Sequence, residues 1–143
     1  MEDIIGRIKE SFSDKILKLE EKSSRRIYLD FKAQDIQEIV KFVFRDLGCR
    51  FSTATATDTP VGIEILYHFS YDSQGKMISL RTLIPDKKHP QIQSITPIFP
   101  GAEWIEREMW EMLGINFIGH PNLKRLLLAD EWPEGKYPLR HQP

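Results

Sequence analysis

The chain has 143 residues, 41% hydrophobic and 29% charged, enough for one globular domain with a core of its own. With 20 basic against 21 acidic residues its net charge is −1, which removes the basic surplus that nucleic-acid binding requires. No window approaches the roughly 18 uncharged apolar residues of a membrane span, and Cys49 is the single cysteine, which excludes an internal disulfide or a cysteine-ligated cluster held by this chain alone. The start, Met1-Glu2-Asp3, lacks a basic-then-apolar leader, so a soluble intracellular protein is expected.

In chain order, Asp3 to Leu19 carries Ile4, Ile5, Ile8, Phe12, Ile16 and Leu19 at helical spacing, with Lys9, Asp14 and Lys18 off that face, and predicts an amphipathic helix. Arg26 to Lys32 alternates Ile27, Leu29 and Phe31 with polar neighbours, the pattern of a half-buried strand. Ala33 to Leu47 returns to helical spacing through Ile36, Ile39, Val40, Val43, Phe44 and Leu47, with Gly48 as cap and Phe42 as the misfit. Phe51 to Thr57 alternates threonine with alanine and favours a strand. Thr59-Pro60 turns the chain into Val61 to Tyr71, the strongest strand signal, with Val61, Ile63, Ile65, Tyr67, Phe69 and Tyr71 on one side. Asp72-Ser73-Gln74-Gly75 is a turn, and Met77 to Ile84 is the returning strand. The order α-β-α-β-β-β predicts an α+β fold in a single domain, 1–143, with a mostly antiparallel sheet covered by helices. Residues 1–100 form its core, 101–128 a helix and loop, and 129–143 an extended tail.

After a connection punctuated by Pro85, Pro90, Pro97 and Pro100, Ala102 to Leu113 predicts about three turns of helix ending at Gly114. Ile105, Met109, Met112 and Leu113 form its expected core stripe. Trp104, Glu108 and Glu111 form a second stripe that mixes an aromatic ring with two carboxylates, suited to a surface that another protein covers. Ile115 to Pro121 is too broken by Gly119 and Pro121 for a helix and too apolar for an idle loop, so it should pack back on the domain. Leu123, Leu126, Leu127 and Leu128 surround Lys124-Arg125, and the proline-rich tail offers Trp132, Tyr137 and Leu139 as anchors.

Glu106-Arg107-Glu108, then Glu111-Met112-Leu113, then Gly119-His120-Pro121, Lys124-Arg125-Leu126-Leu127 and Tyr137-Pro138-Leu139-Arg140 form a long string of fixed spacings. This string resembles the signature of the C-type subunit of the proton-pumping NADH:quinone oxidoreductases (respiratory complex I), shared with membrane-bound energy-converting hydrogenases and related ferredoxin- or F420-dependent complexes. Family members more often have Asp where this chain has Glu111, a change that keeps the carboxylate. Complex I versions usually run on past the Y-P-L-R segment, so the end at Pro143 leans toward a compact hydrogenase-like or archaeal relative.

The resemblance implies a cofactor-free structural subunit of the peripheral arm, on the cytoplasmic side of the membrane. It would pack against a large catalytic subunit homologous to hydrogenase large subunits and beside a small Fe-S subunit, with Fe-S clusters, and in a hydrogenase Ni-Fe, held by those partners. Under this reading Glu106, Arg107, Glu108, Glu111, His120, Lys124 and Arg125 serve local architecture and assembly, Trp104 is an interface anchor, and Trp132 to Arg140, including Tyr137, straps over the partner. The carboxylates are expected in ionic contacts with a partner or the downstream loop, with Arg107, Lys124 and Arg125 as counter-charges.

A lone histidine such as His120 lacks the companions a metal site needs and is expected in structural or interface hydrogen bonds. His68 is assigned to the polar side of a strand, and His89 and His141 to exposed stretches. Trp110, off the apolar stripe, either packs on the tail or remains for another protein. The reading from a different class is a free-standing acid/base enzyme built on Glu108, Glu111 and His120. No phosphate loop or nucleophile elbow accompanies these residues.

Overall fold

The computed structural model describes residues 4–124, 133 and 135–140. Its framework is a five-stranded sheet of β1 (Ile16–Ser23), β2 (Arg26–Lys32), β3 (Arg50–Thr59), β4 (Gly62–Tyr71) and β5 (Lys76–Ile84), in the order β1-β2-β5-β4-β3. Three helices accompany it: α1 (Ile4–Phe12), α2 (Ile36–Lys41) and α3 (Glu103–Leu113). The fold is α+β, and the alternation in the strands produces it directly. Ile27, Leu29, Phe31, Ile63, Ile65, Tyr67, Phe69, Ile78 and Leu80 are buried on one sheet face with α1 and α2 residues Ile4, Ile8, Ile36, Ile39 and Val40. The opposite face carries polar pairs. Arg81 Nε lies 2.8 Å from Asp30 Oδ1, and His68 Nδ1 is 2.8 Å from Ser79 Oγ.

Three features depart from the sequence reading. The first helix stops at Phe12, and Ile16 to Leu19 begins a strand. A register shift between Ile16 and Lys18 against β2 inserts one extra residue, which leaves Ile16 and Leu19 packed on the core while Leu17 is 61% exposed. A bulged strand therefore imitated the i, i+3 spacing of a helix. Second, the sheet is mostly antiparallel as expected, but it holds one parallel ladder that the reading did not specify, β2 with β5. The sheet is mixed because the chain leaves after β2 and returns two strands later. Third, Val61 belongs to the turn before β4 and is 70% exposed.

The predicted helix over Ala33 to Leu47 is present in three pieces: a 3-10 turn, α2, and a wider turn over Phe42–Asp46. The Leu47 amide bonds the Phe42 carbonyl five residues back at 3.0 Å, and Phe42, the misfit, packs edge-on against Phe12 with ring centres 5.2 Å apart. The proline-punctuated connection holds a short strand, β6 (Gln91–Gln93), paired in parallel with β7 (Asn116–Ile118) just after α3. Burial of Ile92, Ile115 and Phe117 drives this pairing, so the segment after Gly114 packs back on the domain as its apolar content required. Phe99 stacks on Phe44 at 4.6 Å and approaches Phe51 at 5.0 Å, joining the entry to α3 to the main core.

Candidate assembly surface

The helix α3 lies against β3, where Ala54 and Ala56 stand on the inner face. Small side chains there let the helix backbone come close to the sheet. Gly114 ends the helix at φ 77°, its amide bonding the Trp110 carbonyl at 2.8 Å, as a left-handed cap should. A Cβ at this position would also lie 2.6 Å from the Tyr137 ring. The tail returns here. Leu139 donates its amide to the Met112 carbonyl at 3.0 Å, and Arg140 Nη1 donates to the Leu113 carbonyl at 3.0 Å, covering carbonyls that the helix end leaves open. Arg140 Nη2 bonds the Lys87 carbonyl at 2.6 Å, and its Nε lies 3.5 Å from Oδ2 of the buried Asp58, whose Oδ1 is 2.6 Å from Lys87 Nζ. Tyr137 and Arg140 are thus fastened to this chain's own helix and sheet.

The acidic signature is turned inward more than the sequence suggested. Met109 and Leu113 are buried as expected, Ile105 and Met112 only partly, and Glu106, Arg107 and Glu111 join the buried set at 0%, 7% and 3% exposure. Glu106 accepts a 2.6 Å bond from Ser94 Oγ and a 2.9 Å bond from the Ile95 amide. Burial pushes its carboxyl from 4.5 up to about 7, against the pull of these two donors. It anchors the β6 segment to α3. The Tyr67 hydroxyl is fully buried, makes no hydrogen bond among the described residues, and is held well above the usual phenol range by burial and then by the Glu106 charge.

His120 sits 4.0 Å from Glu106 with its side chain wholly enclosed. Its Nδ1 accepts the Asn122 amide at 2.9 Å, so the ring proton is on Nε2, which donates to the Glu103 carbonyl at 2.9 Å. Both nitrogens serve the loop after β7. Arg107 Nε donates to the Lys124 carbonyl at 3.0 Å, so Lys124 contributes its main chain, where a counter-charge was expected. Its side chain is exposed. Arg125 and Trp132, with Leu126 to Leu128 and His141, lie outside the described residues.

Trp104 and Glu108 remain toward solvent, with Trp104 65% exposed and Glu108 half-buried. Glu108 has no hydrogen-bond or ion-pair partner among the described residues. Both residues line an open groove of about 720 Å³ with Phe51 and Phe99. Trp110 is partly buried against the core. Glu108, Glu111 and His120 do not converge on one cavity: the first faces the groove, the second is enclosed, and the third has both ring nitrogens engaged. No trio of His, Cys, Asp or Glu among the described residues is disposed to hold a metal, and no helix among them is long and apolar enough to cross a membrane. What the sequence did not signal is Asp58 with its Lys87 and Arg140 partners. Its position on the inward-facing register of a threonine-alanine strand was the available clue.

Comparisons with known proteins bear on this surface. The chain is 39% identical over 118 residues to the C-type subunit of the NADH-quinone oxidoreductase of Ruegeria pomeroyi, covering 78% of this chain and 57% of that one. It is 34% identical over 96 residues to the C/D-type subunit of the NADH-quinone oxidoreductase of Bacteroides thetaiotaomicron, covering 65% of this chain and 18% of the relative. The chain therefore spans little more than half of the Ruegeria relative and a small part of the other. Among solved structures, a chain of the membrane-bound sulfane sulfur reductase, an archaeal respiratory membrane complex, superposes with a TM-score of 0.82 at 25% identity, over 96% of this chain and 81% of that one. Residues 29–142, from β2 through the tail, match the family model described as respiratory-chain NADH dehydrogenase, 30 Kd subunit, and the chain belongs to that family.

Proposed function

We propose that this chain is a structural and assembly subunit in the peripheral arm of a membrane-bound, ion-translocating redox complex of the complex I type. It braces the large catalytic subunit and leaves redox chemistry to its neighbours. Fe-S clusters, and Ni-Fe if the complex is a hydrogenase, reside in those neighbours, on the cytoplasmic side of the membrane. The observation that carries this reading is the division of labour on α3. Glu106, Arg107 and Glu111 are buried and hold the helix in place, while Trp104 and Glu108 are left outward beside an aromatic groove. A rigid element presenting an aromatic anchor and a carboxylate with no partner among the described residues suits a docking surface. The Bacteroides relative carries both the C and the D designation on one chain, which supports a D-type large subunit as the nearest neighbour. Electron transfer depends on fixed cofactor spacing, so bracing contributes to turnover without contact with substrate.

The test is purification of the complex from cells lacking this chain. The expected result is loss of the large subunit from the membrane-bound fraction, restored by the wild-type chain and poorly by Trp104→Ala. A complex of unchanged composition and electron-transfer rate without this chain would defeat the reading, as would substrate turnover by the purified chain alone.

A further inference from the structure

A trough runs between α3 and the free edge of β3. Its wider part is walled by Phe51, Phe99, Trp104 and Ile105, and a narrower part of about 150 Å³ continues past Ala54, Ala56 and Met112, with Glu108 lining both. The strand β3 ends the sheet. Past an irregularity between Phe51 and Thr53, the stretch from Thr53 to Thr57 has neither a charged residue nor a proline, two of the devices by which edge strands are blunted. The opposite edge, β1, carries Lys18, Glu20, Glu21 and Lys22. Among the described residues one edge is charged and the other is left unpaired, with Thr53, Thr55 and Thr57 on it.

The charge of the trough is also one-sided. Arg50 is paired with Asp72 at 3.1 Å, while Glu108 has no partner among the described residues. We infer that the trough receives an extended segment of the D-type large subunit, added to the sheet as a strand beside β3, with a large apolar side chain seated against Trp104 and Phe99 and a lysine or arginine brought to Glu108. Main-chain bonds to β3 supply affinity in this mode, and the aromatic groove and the carboxylate supply selectivity. A second copy of this chain is a poorer occupant, because the cation its own edge would offer, Arg50, is already engaged. The inference rests on the assembly role proposed above and adds the mode of contact.

Amide hydrogen exchange on the full chain, alone and co-expressed with the large subunit, tests it. Those amides of residues 53–57 that do not already bond β4 should slow at least about tenfold in the complex, since new main-chain bonds protect them. Trp104→Ala and Glu108→Arg should each raise the Kd at least about tenfold, the loss expected on removing an interface anchor. Both positions are at least partly exposed, so the variants should fold. Association without protection of β3, or with an affinity indifferent to both variants, overturns the strand-addition mode and spares the assembly reading. Concentration-dependent protection of β3 in the isolated chain would mean self-pairing and overturns it too. Failure of the two chains to associate overturns both.

Discussion

Glu106→Gln offers a test of how the buried centre of the site is held. In the wild-type protein the carboxyl is enclosed, and burial lifts it from 4.5 to about 7. A carboxyl raised on folding favours the folded state most fully below its unfolded value, and that contribution is lost as the pH climbs toward and through about 7. Integrating between the two values gives a loss of about 2 kcal/mol from about pH 5 to about pH 8. Glutamine reproduces the protonated form. Its carbonyl can accept from the Ile95 amide, and its amide can donate to Ser94 Oγ, which then turns to Thr96 Oγ1, 2.7 Å away.

The assay is urea unfolding of both proteins across that pH range, read as the difference between them. The subtraction removes His68, whose pKa is lowered by burial and which therefore costs stability toward acid. Wild type and variant should be nearly equal near about pH 5, and the variant should be the more stable by about 2 kcal/mol near about pH 8. His120, at 4.0 Å, and Tyr67 face the same carboxyl and are present in both proteins. Parallel curves across the whole range would refute the reasoning, since the Glu106 charge would then cost nothing to bury.

Gly114→Ala should cost about 1 kcal/mol for its left-handed backbone and a further 1 to 3 kcal/mol or so for displacing the Tyr137 ring. In a Tyr137→Ala background only the backbone part should remain, which a double-mutant cycle in denaturant would read. Asp58→Ala leaves Lys87 and Arg140 facing a site stripped of its carboxylate and should destabilise by about 3 kcal/mol, visible as a lowered Tm. Arg140→Ala should release the tail from α3 and speed trypsin cleavage after Lys136 with little change in global stability, as gel-resolved limited proteolysis would show.

Much of the fold was legible in the sequence, because strands that face a core on one side announce their period. Ile27, Leu29 and Phe31, and again Ile63, Ile65, Tyr67 and Phe69, are buried as their alternation required. The caps at Gly48 and Gly114, both at positive φ, were equally local. The site residues were legible as a cluster in the chain. Their roles were not, because burial of Glu106, Arg107 and Glu111 is created by partners far along the sequence, the Ser94-Ile95 turn and the Lys124 carbonyl among them. A helical wheel assigns charges to solvent by default.

The sequence by itself determined the periodicities, the turns, the family signature and the absence of a basic surplus, since each depends on neighbours within a few residues. The tertiary structure decided which strands pair and in what direction, which edge of the sheet stays open, and which carboxylates sit inside. The bulge at Leu17 and the parallel β2–β5 ladder depend on hydrogen bonds between residues as far apart as Phe31 and Thr82. Whether a charge is buried likewise depends on the donors that long-range folding brings to it. A local pattern records the face a side chain prefers, and only the assembled core determines what that face will meet.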